Sequence, residues 1–359
     1  MVYINFISLK QGKTQLIEVI FSQAVRAAVT SWRSTVTFDY MLKSLACPRE
    51  LGCELLPLIE RELDNRNYSC AEVTAFAWNN PLVKLEAVFE PPELPETPTD
   101  FRPVPDAEGT VLAQITAIAC LTTINSKAVS YRSENEGDLF VNLVVFPPDG
   151  GVFAEKSAGK MSGHTDGVSF PLRGLSDPEN DRIAPSPDFV CLSALRNPNQ
   201  VPTMVMPLEK LMERLSKEHI DELQKPQFII GSQLTFREGM KRILGDELMV
   251  DDAQLLFAMN GSWWIRFSHS STLIADTDKK SAQEAMDALK NACADCAIPV
   301  PLAPGDIALV NNRIALHGRS EVGDEYGGQT RWLLRTYGLD ISNIDPNQWH
   351  EGSNFMLYP

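Results

Sequence analysis

Apolar residues recur at helical spacing through residues 14–32 (TQLIEVIFSQAVRAAVTSW) and again through 49–64 (RELGCELLPLIERELD), so the N-terminal third is predicted to be mostly helical. Residues 90–105, EPPELPETPTDFRPVP, hold six prolines and suit neither a helix nor a central strand, which predicts an extended connector. After residue 110 the pattern changes to strands. AQITAIACLTTI (113–124), DLFVNLVVFP (138–147), DFVCLSALRN (188–197), PTMVMPL (202–208) and QFIIGS (227–232) are short, rich in β-branched or aromatic residues, and bounded by Gly, Pro or Asn. QLLFAMNGSWWIRFS reads as two strands around Asn260-Gly261, a hairpin signal. GDIALV and RIALHGR read as two more around Asn311-Asn312, and RWLLRTYGLD (331–340) as the last. Helical patterns at 208–219 and 281–295 interrupt the strands. The expectation is a mainly β fold with helices, an antiparallel barrel or sandwich. A helical N-terminal region (1–110) would pack on a core (111–359) with a helical insert, the whole forming a single domain.

Composition narrows the function classes. The 359 residues are 44% apolar and 22% charged, ordinary for a globular chain, which excludes a disordered tail, a fibre and a coiled coil. The net charge of −15 repels phosphate backbones, so no nucleic-acid partner is expected. No apolar run reaches the roughly 18 residues of a membrane span. The start, MVYINFISLKQGK, lacks the pattern of a signal peptide. Seven cysteines, odd in number and scattered, suit a reducing compartment and predict a cytoplasmic protein. Cys293 and Cys296 form a lone CADC; a zinc site needs a second pair, so they are read as half-buried thiols.

Among five histidines, His164 stands out because it opens His164-Thr165-Asp166-Gly167. In an extended segment His164 and Asp166 share a side, roughly 6–7 Å apart at Cα, and can converge on one metal ion. His317, ending the apolar strand RIALHGR, is the natural third ligand. Two histidines and one carboxylate on one face suit non-haem Fe(II) and leave coordination positions open. The plain alternative is a turn aspartate before Gly167 and a hydrogen-bonded core histidine. The last strand puts Arg331, Leu333, Arg335 and Tyr337 on one face and Trp332, Leu334 and Thr336 on the other. If the arginine face is inward, two buried guanidinium groups need anionic partners, such as a bound carboxylate ligand. The alternative leaves them facing water or surface acids.

Taken together, GHTDG, NRIALHGR and TRWLLRTYG resemble the clavaminate synthase-like branch of the Fe(II)/2-oxoglutarate-dependent dioxygenases, in the TauD/TfdA superfamily. The likeness runs over about residues 113–340, and Arg331 follows His317 by 14 residues, the separation used in that branch. It implies a double-stranded β-helix (jelly roll) with helices packed outside. It implies Fe(II) held by His164, Asp166 and His317, with O2 and 2-oxoglutarate as co-substrates. Arg331, assisted by Thr203, would bind the distal carboxylate of 2-oxoglutarate. Arg335 would hold the carboxylate of an amino-acid substrate, with Tyr337, Ser157, Ser268 and Ser270 as further pocket contacts. Free amino-acid hydroxylases of this branch commonly carry His-x-Glu, whereas this chain has His-x-Asp. Arginine-binding relatives place carboxylates where Ser268 and Ser270 stand, which argues against arginine as substrate. Lysine is the leading candidate, and a neutral polar side chain the other. Related halogenases have a small residue in place of the carboxylate ligand; Asp166 fills that position, so hydroxylation is expected. A carrier-tethered aminoacyl group, or a non-catalytic jelly-roll metal- or ligand-binding protein, are the competing readings. Ala275–Ala297 or Ser130–Asp138 could close over the pocket. Oligomeric state is not legible.

Overall fold

The computed structural model describes residues 2–259 and 261–359. Helices α1 (Val2–Arg33), α2 (Phe38–Leu45), α3 (Pro48–Asp64) and α4 (Cys70–Asn79) come first, followed by β1 (Leu82–Leu85) and α5 (Glu108–Thr123). Next are β2 (Lys127–Tyr131), β3 (Val141–Leu143), α6 (Val152–Ala158), β4 (Met161–His164), β5 (Phe189–Arg196) and β6 (Thr203–Pro207). The insert holds α7 (Leu208–Arg214), α8 (Lys217–Leu223), β7 (Phe228–Ile230), α9 (Leu234–Leu244), β8 (Val250–Ala253), β9 (Leu256–Met259), β10 (Ser262–Ile265), β11 (Thr272–Ile274) and α10 (Lys280–Asp295). The chain returns through β12 (Ile298–Val300), β13 (Ile307–Asn311), β14 (Ala315–Arg319), β15 (Trp332–Leu339) and β16 (Met356–Leu357).

Two sheets frame the site. The larger runs β1-β13-β5-β15-β2-β16, with β3 also paired to β15, and the smaller runs β12-β6-β14-β4. Period-two alternation splits the larger sheet. Cys191, Leu195, Leu309 and Leu334 pack outward against α5 and the N-terminal helices. Val190, Leu192, Ala308, Val310 and Leu333 turn inward to meet Val205 and Ala315 of the smaller sheet. Asn311-Asn312 carries the chain from one sheet to the other, since β13 and β14 belong to different sheets. Strand β1 comes from the N-terminal region, yet it pairs antiparallel with β13.

Most of the expected strands are present, but residues 113–124 are not one of them. They lie in α5, a helix buried on every side from Gly109 to Thr123. A helix without a solvent face shows no 3.6-residue polar periodicity, so its isoleucines and threonines read as a strand. The expected strand at 138–147 shrinks to β3, and the helix at 208–219 divides into α7 and α8, with Ser216 capping the second. Strands β9 and β10 pair across the expected hairpin, whose Asn260 lies outside the described residues. Cys293 and Cys296 are buried in and just after α10, more deeply than expected.

Candidate metal centre and carboxylate pocket

Strand register places the two histidines. Antiparallel pairing of β14 with β4 sets His317 directly opposite His164, with ring centroids 4.4 Å apart. Asp166 follows in the turn after β4. Gly167 has φ +65°, and a Cβ there would lie 3.0 Å from Pro187 Cδ, so the turn that aims Asp166 needs glycine. One ligand atom from each of His164, Asp166 and His317 lies within 4.8 Å of the others, and all three residues are buried. His164 Nε2 is 3.4 Å from Asp166 Oδ1, and His317 Nε2 is 3.6 Å from Asp166 Oδ2.

The surroundings hold this geometry. His164 Nδ1 is 3.0 Å from the Ser162 carbonyl, which leaves Nε2 to face the centre. Asn312 accepts from the Asp166 amide at 2.9 Å and donates to its carbonyl at 2.9 Å. Gln233 accepts from the Gly167 amide at 2.8 Å and donates to Asp166 Oδ1 at 3.1 Å. Burial opposes charge on Asp166, but His317, His164 and Arg335 hold its carboxyl well below the usual range. Burial also opposes charge on His164, and Asp166 outweighs it, raising that imidazole. Burial and the facing His164 push His317 down.

A cavity of about 350 Å³ opens beside the triad. Arg331, Leu333 and Arg335 line it, so the arginine face of β15 is the inward one. The two guanidinium groups differ. Arg335 Nη2 donates to Glu134 Oε2 at 2.7 Å, and Glu134, itself 4% exposed, also accepts from Thr235 at 2.7 Å. Burial disfavours the Arg335 charge, but Glu134 reverses this and raises its pKa. Arg331 is 6% exposed, has no carboxylate partner among the described residues, and its Nε is buried without a hydrogen bond. Burial pushes it down to about 9.

The other expected pocket residues divide. Thr203, Ser268 and Ser270 line the cavity, with the two serine hydroxyls 3.4 Å apart. Ser157 also lines it, but its hydroxyl is engaged by the Ala154 carbonyl and the Phe146 amide. Tyr337 is not a lining residue; its ring lies 4.4 Å below the Arg335 guanidinium carbon, among buried aromatics. His269 also borders the cavity, in the turn that follows Ser268. Segment 130–138 brings Asn135 to the cavity wall and Glu134 to Arg335 behind it, whereas no residue of 275–297 lines the cavity. The start of α9 (Leu234, Thr235) does, packed so close that a Cβ on Gly239 would meet the Ser133 carbonyl. Glu134, Gln233, Asn312 and Arg319 were not anticipated. Only Glu134 had a signal: an acid near a buried arginine that required one.

A model of the family described as taurine catabolism dioxygenase TauD, TfdA family, matches residues 260–337. The L-lysine 3-hydroxylase of Catenulispora acidiphila is 25% identical over 293 residues, 79% of this chain and 75% of that protein. The likeness to the TauD/TfdA dioxygenases is thus carried by residues 260–337, which include His317, Arg331 and Arg335. Its mixed helix-and-sheet fold matches asparagine oxygenase in complex with Fe(II), (2S,3S)-3-hydroxyasparagine and succinate, with TM-score 0.65, 19% identity and coverage of 97% and 98% of the two chains. It also matches the non-haem iron oxygenase OrfP in complex with Fe and α-ketoglutaric acid, with TM-score 0.69, 19% identity and coverage of 94% and 96%. Those two structures hold iron together with succinate in one case and α-ketoglutaric acid in the other. The residues present fit both groups. Two imidazoles and a carboxylate on one face are a ferrous donor set, and the unpaired Arg331 Nε is a donor waiting for an acceptor. No helix among the described residues is long and apolar enough to cross a membrane.

Proposed function

We propose that the chain hydroxylates an unactivated C–H bond of a free L-amino acid, with conversion of 2-oxoglutarate and O2 to succinate and CO2. The observation that carries this is one cavity holding the His164–Asp166–His317 triad, a buried arginine without a counter-ion, and a second arginine paired to a buried glutamate. The two sheets are the halves of a double-stranded β-helix, with residues 1–110 packed on it as part of the same domain. Seven free thiols support the cytoplasmic setting expected for it.

Fe(II), when bound by His164, Asp166 and His317, supplies the oxygen activation that couples decarboxylation of the co-substrate to oxidation of the substrate. The protein supplies binding and orientation. Arg331, with Thr203 alongside, binds the distal carboxylate of 2-oxoglutarate through charge-assisted hydrogen bonds. Arg335 takes the substrate carboxylate. Glu134 sits against Arg335 and takes the substrate ammonium, so the pair matches both charges of a zwitterion. Fixing those two groups fixes which carbon faces the metal, and small misplacement costs rate steeply. Ser268 and Ser270 border the space left for the side chain. Lysine, the substrate in the name of the Catenulispora relative, is the first candidate.

Succinate release with Fe(II), 2-oxoglutarate and each of the twenty amino acids tests this. Release above background with at least one amino acid is expected. Binding of 2-oxoglutarate without release from any of them would redirect the search to carrier-tethered aminoacyl groups, and absence of 2-oxoglutarate binding would leave a metal-binding protein.

A further inference from the structure

Arg319 lies two residues beyond His317 on β14, so strand alternation turns both side chains the same way, and both line the cavity. Its cross-strand neighbours are Thr203 on β6 and Met161 on β4. Its Nη2 donates to the carbonyls of Lys156 at 2.9 Å and Gly159 at 2.8 Å, at the end of α6. Its Nε is buried with no hydrogen-bond partner among the described residues. Neither Arg319 nor Arg331 pairs with a carboxylate among the described residues, unlike Arg313 and Arg335, which pair with Asp188 and Glu134. Two guanidinium groups thus face one cavity wall beside Thr203. Two like charges withdrawn from water are tolerated when an anion joins them. The carbonyl bonds also matter. They fix the guanidinium plane with Nε and Nη1 still free to donate. They also tie it to a segment whose Lys156, Ser157 and Lys160 line the same cavity.

We propose that Arg319 is a second co-substrate-binding residue: with Arg331 it surrounds the distal carboxylate of 2-oxoglutarate, and through the Lys156 and Gly159 carbonyls it couples that carboxylate to α6. This rests on the 2-oxoglutarate-dependent reading. The carboxylate completes two incomplete guanidinium groups at once, and its arrival stiffens residues 152–160.

The test compares two acids that share the 2-oxo acid head, 2-oxoglutarate and 2-oxopentanoate, which lacks the distal carboxylate. Each is titrated into the Fe(II)-loaded protein under nitrogen. Arg319→Gln should weaken 2-oxoglutarate by roughly tenfold or more and leave 2-oxopentanoate within about twofold. In the wild type, 2-oxoglutarate but not 2-oxopentanoate should slow hydrogen exchange across residues 152–160. Arg319→Lys keeps the charge and loses the fork, so it should retain the preference between the acids and lose that slowing. Equal loss on both acids, or no loss on either, overturns the assignment. So does exchange that ignores the distal carboxylate. A wild-type protein that binds neither acid would sink the dioxygenase reading itself, a result distinct from either of these.

Discussion

Replacing Arg331 by methionine should separate binding from stability. The arginine is 6% exposed, its Nε lacks a partner, and no carboxylate pairs with it among the described residues. In the complex, truncating a buried, hydrogen-bonded charge partner costs about 2–5 kcal/mol, which is about thirtyfold to a few thousandfold in 2-oxoglutarate affinity. Without ligand the sign reverses. Methionine of similar length removes an uncompensated buried charge, and replacing such charge by apolar packing is neutral to stabilising, by at most about 4 kcal/mol. The assay pairs an anaerobic titration of 2-oxoglutarate with urea denaturation of the ligand-free protein. Weaker binding with equal or greater stability is expected. Unchanged binding would remove Arg331 from the co-substrate site. A stability loss matching the binding loss would make it a structural residue.

The neighbouring arginine should behave in the opposite way. Arg335→Met leaves Glu134 buried and unpaired, so it should lower ligand-free stability by about 3–5 kcal/mol, and adding Glu134→Gln should recover most of it; a double variant no more stable than the single refutes the pairing argument. Gln233→Ala and Asn312→Ala should each weaken Fe(II) binding by about 10- to 100-fold with all three ligands intact, measured by competition with a chelator; unchanged affinity would show that Asp166 is held without them. Ser268→Asp puts a carboxylate on the side-chain wall and should raise turnover of lysine relative to neutral amino acids, read as a ratio of kcat/KM values; an unchanged ratio across the amino-acid panel would place Ser268 away from the side chain.

What the sequence reveals and hides follows from how local each signal is. Strands β5, β6, β14 and β15 show their alternation directly, which groups Arg331 and Arg335 on one face of β15; that this face is the inward one is set by how the two sheets pack. His-x-Asp spacing within one extended segment brings His164 and Asp166 together. The cross-strand partner His317 depends on the register of β14 against β4, which no local pattern specifies. Helix α5 misleads because total burial erases the periodicity by which helices are recognised. Gln233, Asn312 and Arg319 look like surface or turn residues in sequence. Gln233 matters only because the insert folds back over the mouth of the sheets. Asn312 matters because the crossing between sheets passes beneath Asp166. Arg319 matters because α6 ends beside β14.

The most direct test is diffraction at the iron absorption edge, from crystals grown under nitrogen with Fe(II) and 2-oxoglutarate. One anomalous peak is predicted, bonded to Nε2 of His164, Nε2 of His317 and a carboxylate oxygen of Asp166, with the diacid's far end against Arg331. Iron bound elsewhere, or the triad left bare while the metal is present in excess, would contradict it.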